Sequence, residues 1–169
     1  GVFRPEYAFE KWHDFDEDLF QQVYDEIPEV DFQGKIFASD YSAKSLSLAR
    51  LNAKNASVEK KINFQVASIF DYKPQSKGTI ILNPPYGERM GGNKLGPLYK
   101  RIGDKLKWDF SGFNAWIISS NREALKNVGL RTSKKITLFN GSLECRFNKY
   151  EMYRGTKKQK NKQKPVDNG

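Results

Sequence analysis

Thr79-Ile80-Ile81-Leu82-Asn83-Pro84-Pro85-Tyr86-Gly87-Glu88-Arg89 lies near the middle of the chain. An apolar, β-branched run ends abruptly in a carboxamide, two prolines and an aromatic ring. The run Thr79–Leu82 is expected to be a buried parallel strand. Two prolines end it, since neither donates a ladder hydrogen bond and each fixes its own φ. Asn83 therefore falls at the carboxyl end of a strand, where open α/β sheets place their ligands. Pro84 and Pro85 stiffen the turn and leave carbonyls without a regular sheet partner. Tyr86 adds a flat face at the same place.

These parts suit one chemical task. An aromatic amine is a poor nucleophile because its lone pair is delocalised into the ring. The Asn83 side-chain oxygen and the Pro84 carbonyl can accept both N–H bonds of such an amine, turning the lone pair toward an electrophile while Tyr86 stacks on the base. Catalysis would then be positioning and electrostatics. The plainer alternative is a proline-rich turn after a core strand.

The tetrapeptide and its strand resemble motif IV of the S-adenosylmethionine-dependent amino-group methyltransferases. The longer run Asn83–Arg89 looks like that of the bacterial THUMP-containing ribosomal RNA guanine-N2 methyltransferases, a family often labelled adenine-specific DNA methylases. The likeness extends over nearly all of Tyr7–Met152 and includes Tyr7-Ala8-Phe9-Glu10-Lys11-Trp12. It implies methyl transfer from S-adenosylmethionine to an exocyclic amine in large-subunit (23S) ribosomal RNA, with Asn83, Pro84, Pro85 and Tyr86 as the catalytic turn and Asn83 also beside the cofactor. Adenine-N6 methylation of DNA or RNA uses the same motif. A noncatalytic RNA-binding module on the same fold is the reading from a different class.

Upstream, Lys35–Asp40 reads as a strand ending in an acid, and Ser42 as the cap of a helix carrying Leu46, Ala49 and Ala53, with Leu48 and Leu51 widening its apolar face. A carboxylate at such a strand end can accept both ribose hydroxyls, which makes Asp40 the candidate ribose ligand; helix capping is its alternative. Ala38-Ser39-Asp40 resembles motif II of the methyltransferases, and Tyr41 is placed to pack on the adenine. Lys61–Val66 is the next strand. The turn Ala67-Ser68-Ile69-Phe70-Asp71 follows, and in the family this turn reads the adenine. Ser68 and Ile69 are the candidates there, although the family pattern has an acid near Ser68. Asp71 reads as a turn residue.

The amino-terminal stretch crowds Phe3, Tyr7, Phe9, Trp12, Phe15 and Phe20 among acids. Asp14–Asp18 is expected to cap a helix to Ile27 with Leu19, Val23 and Ile27 on one face. The aromatics form either a clamp over the core or a lid that stacks on a base. Beyond the central motif, Gly91–Gly96 reads as a loop and Leu95–Trp108 as a helix with Leu98, Ile102, Leu106 and Trp108 as its apolar contacts. Phe113–Ser119 reads as a strand and Asn121–Val128 as a short helix. Segments Lys135–Phe139 and Leu143–Asn148 read as a hairpin about Asn140-Gly141. Four strand–helix units and a terminal antiparallel hairpin match the Rossmann-like α/β sheet of the class I methyltransferases that the motifs resemble.

The chain has 169 residues, a net charge of +9, one cysteine and one histidine. Cys145 and His13 support neither a disulfide framework, a zinc site nor a serine-type triad. The positive charge favours a polyanion. No apolar run approaches transmembrane length and no signal peptide is visible, so a cytoplasmic location is expected. Residues 1–154 read as a partial catalytic domain. Residues 155–169 read as a disordered basic tail, in which Lys157, Lys158 and Lys160 either touch RNA phosphates or are simply solvated. The resemblance also implies a first strand and an Asp-Pro-x-Cys-Gly-Ser-Gly-like turn for the methionine half of the cofactor, and a THUMP domain before that. The chain contains no such run, so a fragment of a longer protein is expected, its sheet short of one central strand.

Overall fold

A computed structural model describes residues 6–26, 32–74, 76–86 and 92–153. The chain separates into two compact units, Gly1–Ile69 and Phe70–Gly169.

In the first unit a single turn of 3-10 helix, Ala8–Lys11, precedes helix α1, Glu17–Asp25. Asp16 caps α1, its carboxylate accepting from the Leu19 amide at 2.9 Å, which satisfies one of the orphan donors of the first turn. Tyr7, Phe9, Phe15 and Phe20 pack ring against ring. None of the residues of α1 is buried. The aromatics thus pack on one another within this unit, and Leu19 and Val23 are exposed. The expected end of this helix at Ile27 lies outside the described residues.

Strand β1, Ile36–Asp40, leads through the Ser42 cap into helix α2, Ala43–Asn55, and strand β2, Ile62–Val66, follows. The two strands run parallel, in register from Ile36 with Ile62 to Asp40 with Val66. Leu46 and Ala53 are the buried positions of α2, while Leu48 and Leu51 stay exposed. Between β2 and the next strand the described residues form no helix, so there are three strand–helix units instead of four. Pro74 and Gly78, both poor in a helix interior, fall within that connection.

The second unit is built on four strands. These are β3 (Thr79–Leu82), β4 (Asn114–Ser119), β5 (Thr132–Asn140) and β6 (Leu143–Glu151), ordered β3-β4-β6-β5. β3 is parallel to β4, and β6 runs antiparallel to both β4 and β5. The hairpin is longer than the sequence suggests, and its loop is Gly141-Ser142 instead of Asn140-Gly141, because Asn140 pairs with Leu143. Gly141 has φ +62, which only a residue without a Cβ takes at little cost.

Helix α3, Gly92–Asp109, starts three residues earlier than expected and carries Pro97 within its first turns. Leu95, Tyr99, Ile102 and Leu106 form one buried stripe, continued by Phe110, the 3.6-residue period of a core-facing helix. Trp108 is off that stripe and 74% exposed, with Lys107 over its ring. Helix α4, Arg122–Lys126, is capped by Asn121. Gly103 of α3 lies directly against the Val128 carbonyl after α4. Lys105 fixes the start of the unit to α3, its Nζ donating to the Phe70 carbonyl at 2.8 Å, while Arg101 covers the Phe70 ring.

One face of this sheet buries Ala115, Ile117 and Ser119 with Asn148 and Tyr150. The opposite face carries Ile81, in register with Trp116, and Trp116 stacks on Phe147. Ile81 is 67% exposed. β3 is thus parallel as expected but not buried on both faces, and among the described residues it is an edge strand. No helix among the described residues is long and apolar enough to cross a membrane.

Candidate active site

The four residues of the central motif leave β3 as a short extended turn. Asn83 is exposed, Pro84 is buried, Pro85 is exposed and Tyr86 is half-buried. Parallel pairing sets Leu82 opposite Ile117, so Asn83 emerges at the carboxyl edge shared by β3 and β4. Among the described residues the Asn83 carboxamide and the Pro84 carbonyl have no hydrogen-bond partner. Both acceptors that the sequence assigns to an incoming amine are therefore open. The Pro85 carbonyl is engaged instead: the hydroxyl of Tyr99 lies 3.2 Å away. The same hydroxyl is 2.8 Å from the Ser119 Oγ, and the Asn121 amide donates to that Oγ at 3.1 Å.

Tyr99 and Ser119 are fully buried. Burial pushes the Tyr99 hydroxyl pKa up to about 12, partly opposed by the Ser119 hydrogen bond and assisted by Tyr86 and Tyr150. The sequence reading passed over both residues. One signal was available: a tyrosine on an otherwise aliphatic stripe needs a partner for its hydroxyl. Which partner it finds depends on how α3 lies along its unit, which no local pattern encodes.

The residues assigned to the cofactor, apart from Asn83, lie in the first unit and come together at the carboxyl ends of β1 and β2. Asp40 ends β1, and its carbonyl accepts from the Ala67 amide at 3.0 Å. That bond carries the pairing one step past the strands and brings Ser68 and Ile69 to the same edge as Asp40 and Tyr41. The Asp40 side chain is half-buried, and its Oδ1 accepts from the Ser42 amide at 2.7 Å. The local-turn alternative for Asp40 is therefore realised with one oxygen. The cap itself is the Ser42 hydroxyl, which accepts from the Ser45 amide at 3.2 Å. The second carboxylate oxygen has no partner among the described residues, and it can accept from a diol. Tyr41 is 80% exposed, leaving its ring available for stacking. Residues Gly87–Arg89 and the lysines at 157, 158 and 160 lie outside the described residues.

Charge is distributed unevenly. Between Glu6 and Glu26 there are eight acids and one lysine. The aromatic segment is therefore locally acidic within a chain of net charge +9.

Comparison with known proteins gives the family. The ribosomal RNA large subunit methyltransferase K/L of Shewanella frigidimarina is 35% identical over 161 residues, covering 90% of this chain and 23% of that protein. Its counterpart in Shewanella sediminis is 37% identical over the same length. The crystal structure of SMU.472 complexed with SAH superposes with a TM-score of 0.72 at 28% identity, covering 92% of this chain and 42% of that one. The chain thus spans less than half the length of these relatives. Residues 3–149 match the UPF0020 family, the RMKL-like methyltransferase domain, and the chain belongs to that family.

Proposed function

We propose that this chain is the catalytic part of an S-adenosylmethionine-dependent methyltransferase that modifies an exocyclic amine, guanine N2, in large-subunit ribosomal RNA. The observation that carries the reading is the open pair of acceptors, Asn83 and the Pro84 carbonyl, at the carboxyl end of β3 in a chain of the RMKL-like family. The K/L relatives are named for large-subunit ribosomal RNA, and the chain's charge of +9 suits a polyanion.

The second Asp40 carboxylate oxygen, which can accept from a diol, the exposed Tyr41 ring and the adjoining Ser68 and Ile69 fit a ribose and an adenine. When bound, the cofactor would supply an electrophilic sulfonium methyl, whose carbon–sulfur bond would break toward sulfur as the new carbon–nitrogen bond forms. Asn83 and Pro84 accept the two N–H bonds and orient the nitrogen lone pair. Tyr86 stacks on the base. No strong general base is needed, since the nitrogen proton becomes acidic as nitrogen gains positive charge, and it passes to water.

We further infer that the whole protein supplies the cradle for the methionine half from another segment. The short coverage of the relatives supports this. So do β1 and β3, each an outer strand of its sheet with a free edge among the described residues.

The test uses the whole protein, labelled cofactor and ribosomal RNA from a strain lacking the gene, followed by nucleoside mass spectrometry. Label in N2-methylguanosine is expected, and Asn83→Ala should lower turnover by about two to three orders of magnitude. Label in N6-methyladenosine would overturn the base assignment. Full activity of Asn83→Ala would overturn the mechanism.

A further inference from the structure

We propose that Tyr99 and Ser119 are positioning residues, forming a one-way hydrogen-bond chain that fixes the peptide plane between Pro85 and Tyr86 and so aims the Tyr86 ring. The proposal rests on the methyl-transfer reading above.

Counting protons gives the chain its direction. The Pro85 carbonyl can only accept, and the Asn121 amide can only donate. Tyr99 has a single hydroxyl hydrogen and lies within reach of both the Pro85 oxygen, at 3.2 Å, and the Ser119 Oγ, at 2.8 Å. If that hydrogen pointed at Ser119, two oxygen lone pairs would face each other across the Tyr99–Pro85 contact. The Ser119 hydrogen would then lack an acceptor in a fully buried position, which is costly. One arrangement satisfies every group. The Asn121 amide donates to Ser119, Ser119 donates to Tyr99, and Tyr99 donates to the Pro85 carbonyl. Each link polarises the next. The Tyr99 pKa of about 12 keeps its hydrogen in place at any working pH.

The geometry of the turn says what this controls. The proline rings already fix φ at residues 84 and 85. The freedom left at Pro85 is ψ, and ψ sets both the direction of its carbonyl and the plane that leads into Tyr86. Holding the carbonyl therefore holds Tyr86. The anchor comes from three places at once: Tyr99 on α3, Ser119 at the end of β4, and Asn121 at the cap of α4.

Tyr99→Phe removes the last link and keeps the ring. In the whole protein it should lower kcat for ribosomal RNA between about ten- and a hundred-fold. KM for RNA and the cofactor Kd should stay within about two-fold, since phosphate contacts dominate RNA affinity. In a Tyr86→Ala background the same substitution should cost little more, because its effect passes through Tyr86. Ser119→Ala, which leaves the tyrosine in place, should give a smaller loss of the same kind and serves if Tyr99→Phe folds poorly. Pro85-Tyr86 is the only Pro–Tyr pair in the chain. Carbonyl-13C proline with 15N tyrosine therefore gives this chain one such peptide-bond resonance by NMR, identified in the whole protein by its loss in Tyr86→Ala. That resonance should move in Tyr99→Phe whether or not RNA is a substrate. An unmoved resonance, an unchanged kcat, a loss confined to KM, or an undiminished loss in the Tyr86→Ala background would overturn the proposal. A wild-type protein inactive on ribosomal RNA, with the resonance still moving, would instead count against the proposed function alone.

Discussion

Gly103→Ala sets two forces of opposite sign against each other. In a helix interior alanine is better than glycine by about 1 kcal/mol, so propensity alone predicts a stabler protein. The tertiary structure predicts the reverse. A Cβ at position 103 would meet the Val128 carbonyl oxygen at 1.9 Å, with the carbonyl carbon at 2.8 Å and the Cα at 3.2 Å. The obstacle is backbone, so no side chain can rotate away. α3 must withdraw by about 1 Å from a densely packed contact, which loosens the buried stripe of Tyr99, Ile102 and Leu106. Overpacking of this kind costs about 1–3 kcal/mol. An immovable carbonyl puts it near the upper end, for a net loss of about 2 kcal/mol after the gain in propensity. Urea unfolding of the whole protein should show a lower midpoint at an unchanged slope. Tyr99 lies one helical turn before Gly103, so turnover should fall as well. A variant of equal or higher stability would refute the close approach of α3 to Val128, and with it the placement of Tyr99.

Three further outcomes are expected. Asp40→Ala in the whole protein should weaken cofactor binding by roughly 1.5–3 kcal/mol, the value of a charged hydrogen bond; unchanged affinity by calorimetry would remove Asp40 as the ribose ligand. Deleting residues 155–169 should weaken RNA binding and flatten its dependence on salt, since the lysines there act through charge; an unaltered slope would make the tail a bystander. Tyr99 has a folded pKa of about 12 against an ordinary value of 10.0, so its contribution to stability is fully present below about pH 10 and is lost as pH rises through about 12. Phenolate absorbance in Tyr99→Phe should lack one late-ionising group, and a missing group near pH 10 instead would contradict the buried hydroxyl.

The amino-terminal aromatics sit in an acidic stretch of the chain. Rings beside flexible charged residues can read as a stacking lid, yet here the rings satisfy one another. The acids around them, Asp14, Asp16, Glu17 and Asp18 among others, cap and surround α1.

What the sequence determined alone is whatever is written over a few consecutive residues. Two prolines end β3 after Leu82 in any context, because they lack amide hydrogens and lock φ. Ser42 and Asn121 announce their helices because an Ncap bond spans only three residues. The acid that ends β1 and the carboxamide that ends β3 were both legible for the same reason. Other features are set by distance in space. Whether Ile81 is buried depends on what covers its face of the sheet, and alternation along four residues cannot say. The hairpin loop shifted by one residue because pairing along the whole of β5 and β6 sets the register, not the preference of Asn-Gly. Trp108 is apolar yet falls outside the stripe that the 3.6-residue period turns inward. Tyr99 and Ser119 stand 20 residues apart, and both far from Pro85. Their meeting needs the lie of α3 along the end of β4, which packing fixes, and that packing depends on a glycine at 103 whose reason is a carbonyl 25 residues further on.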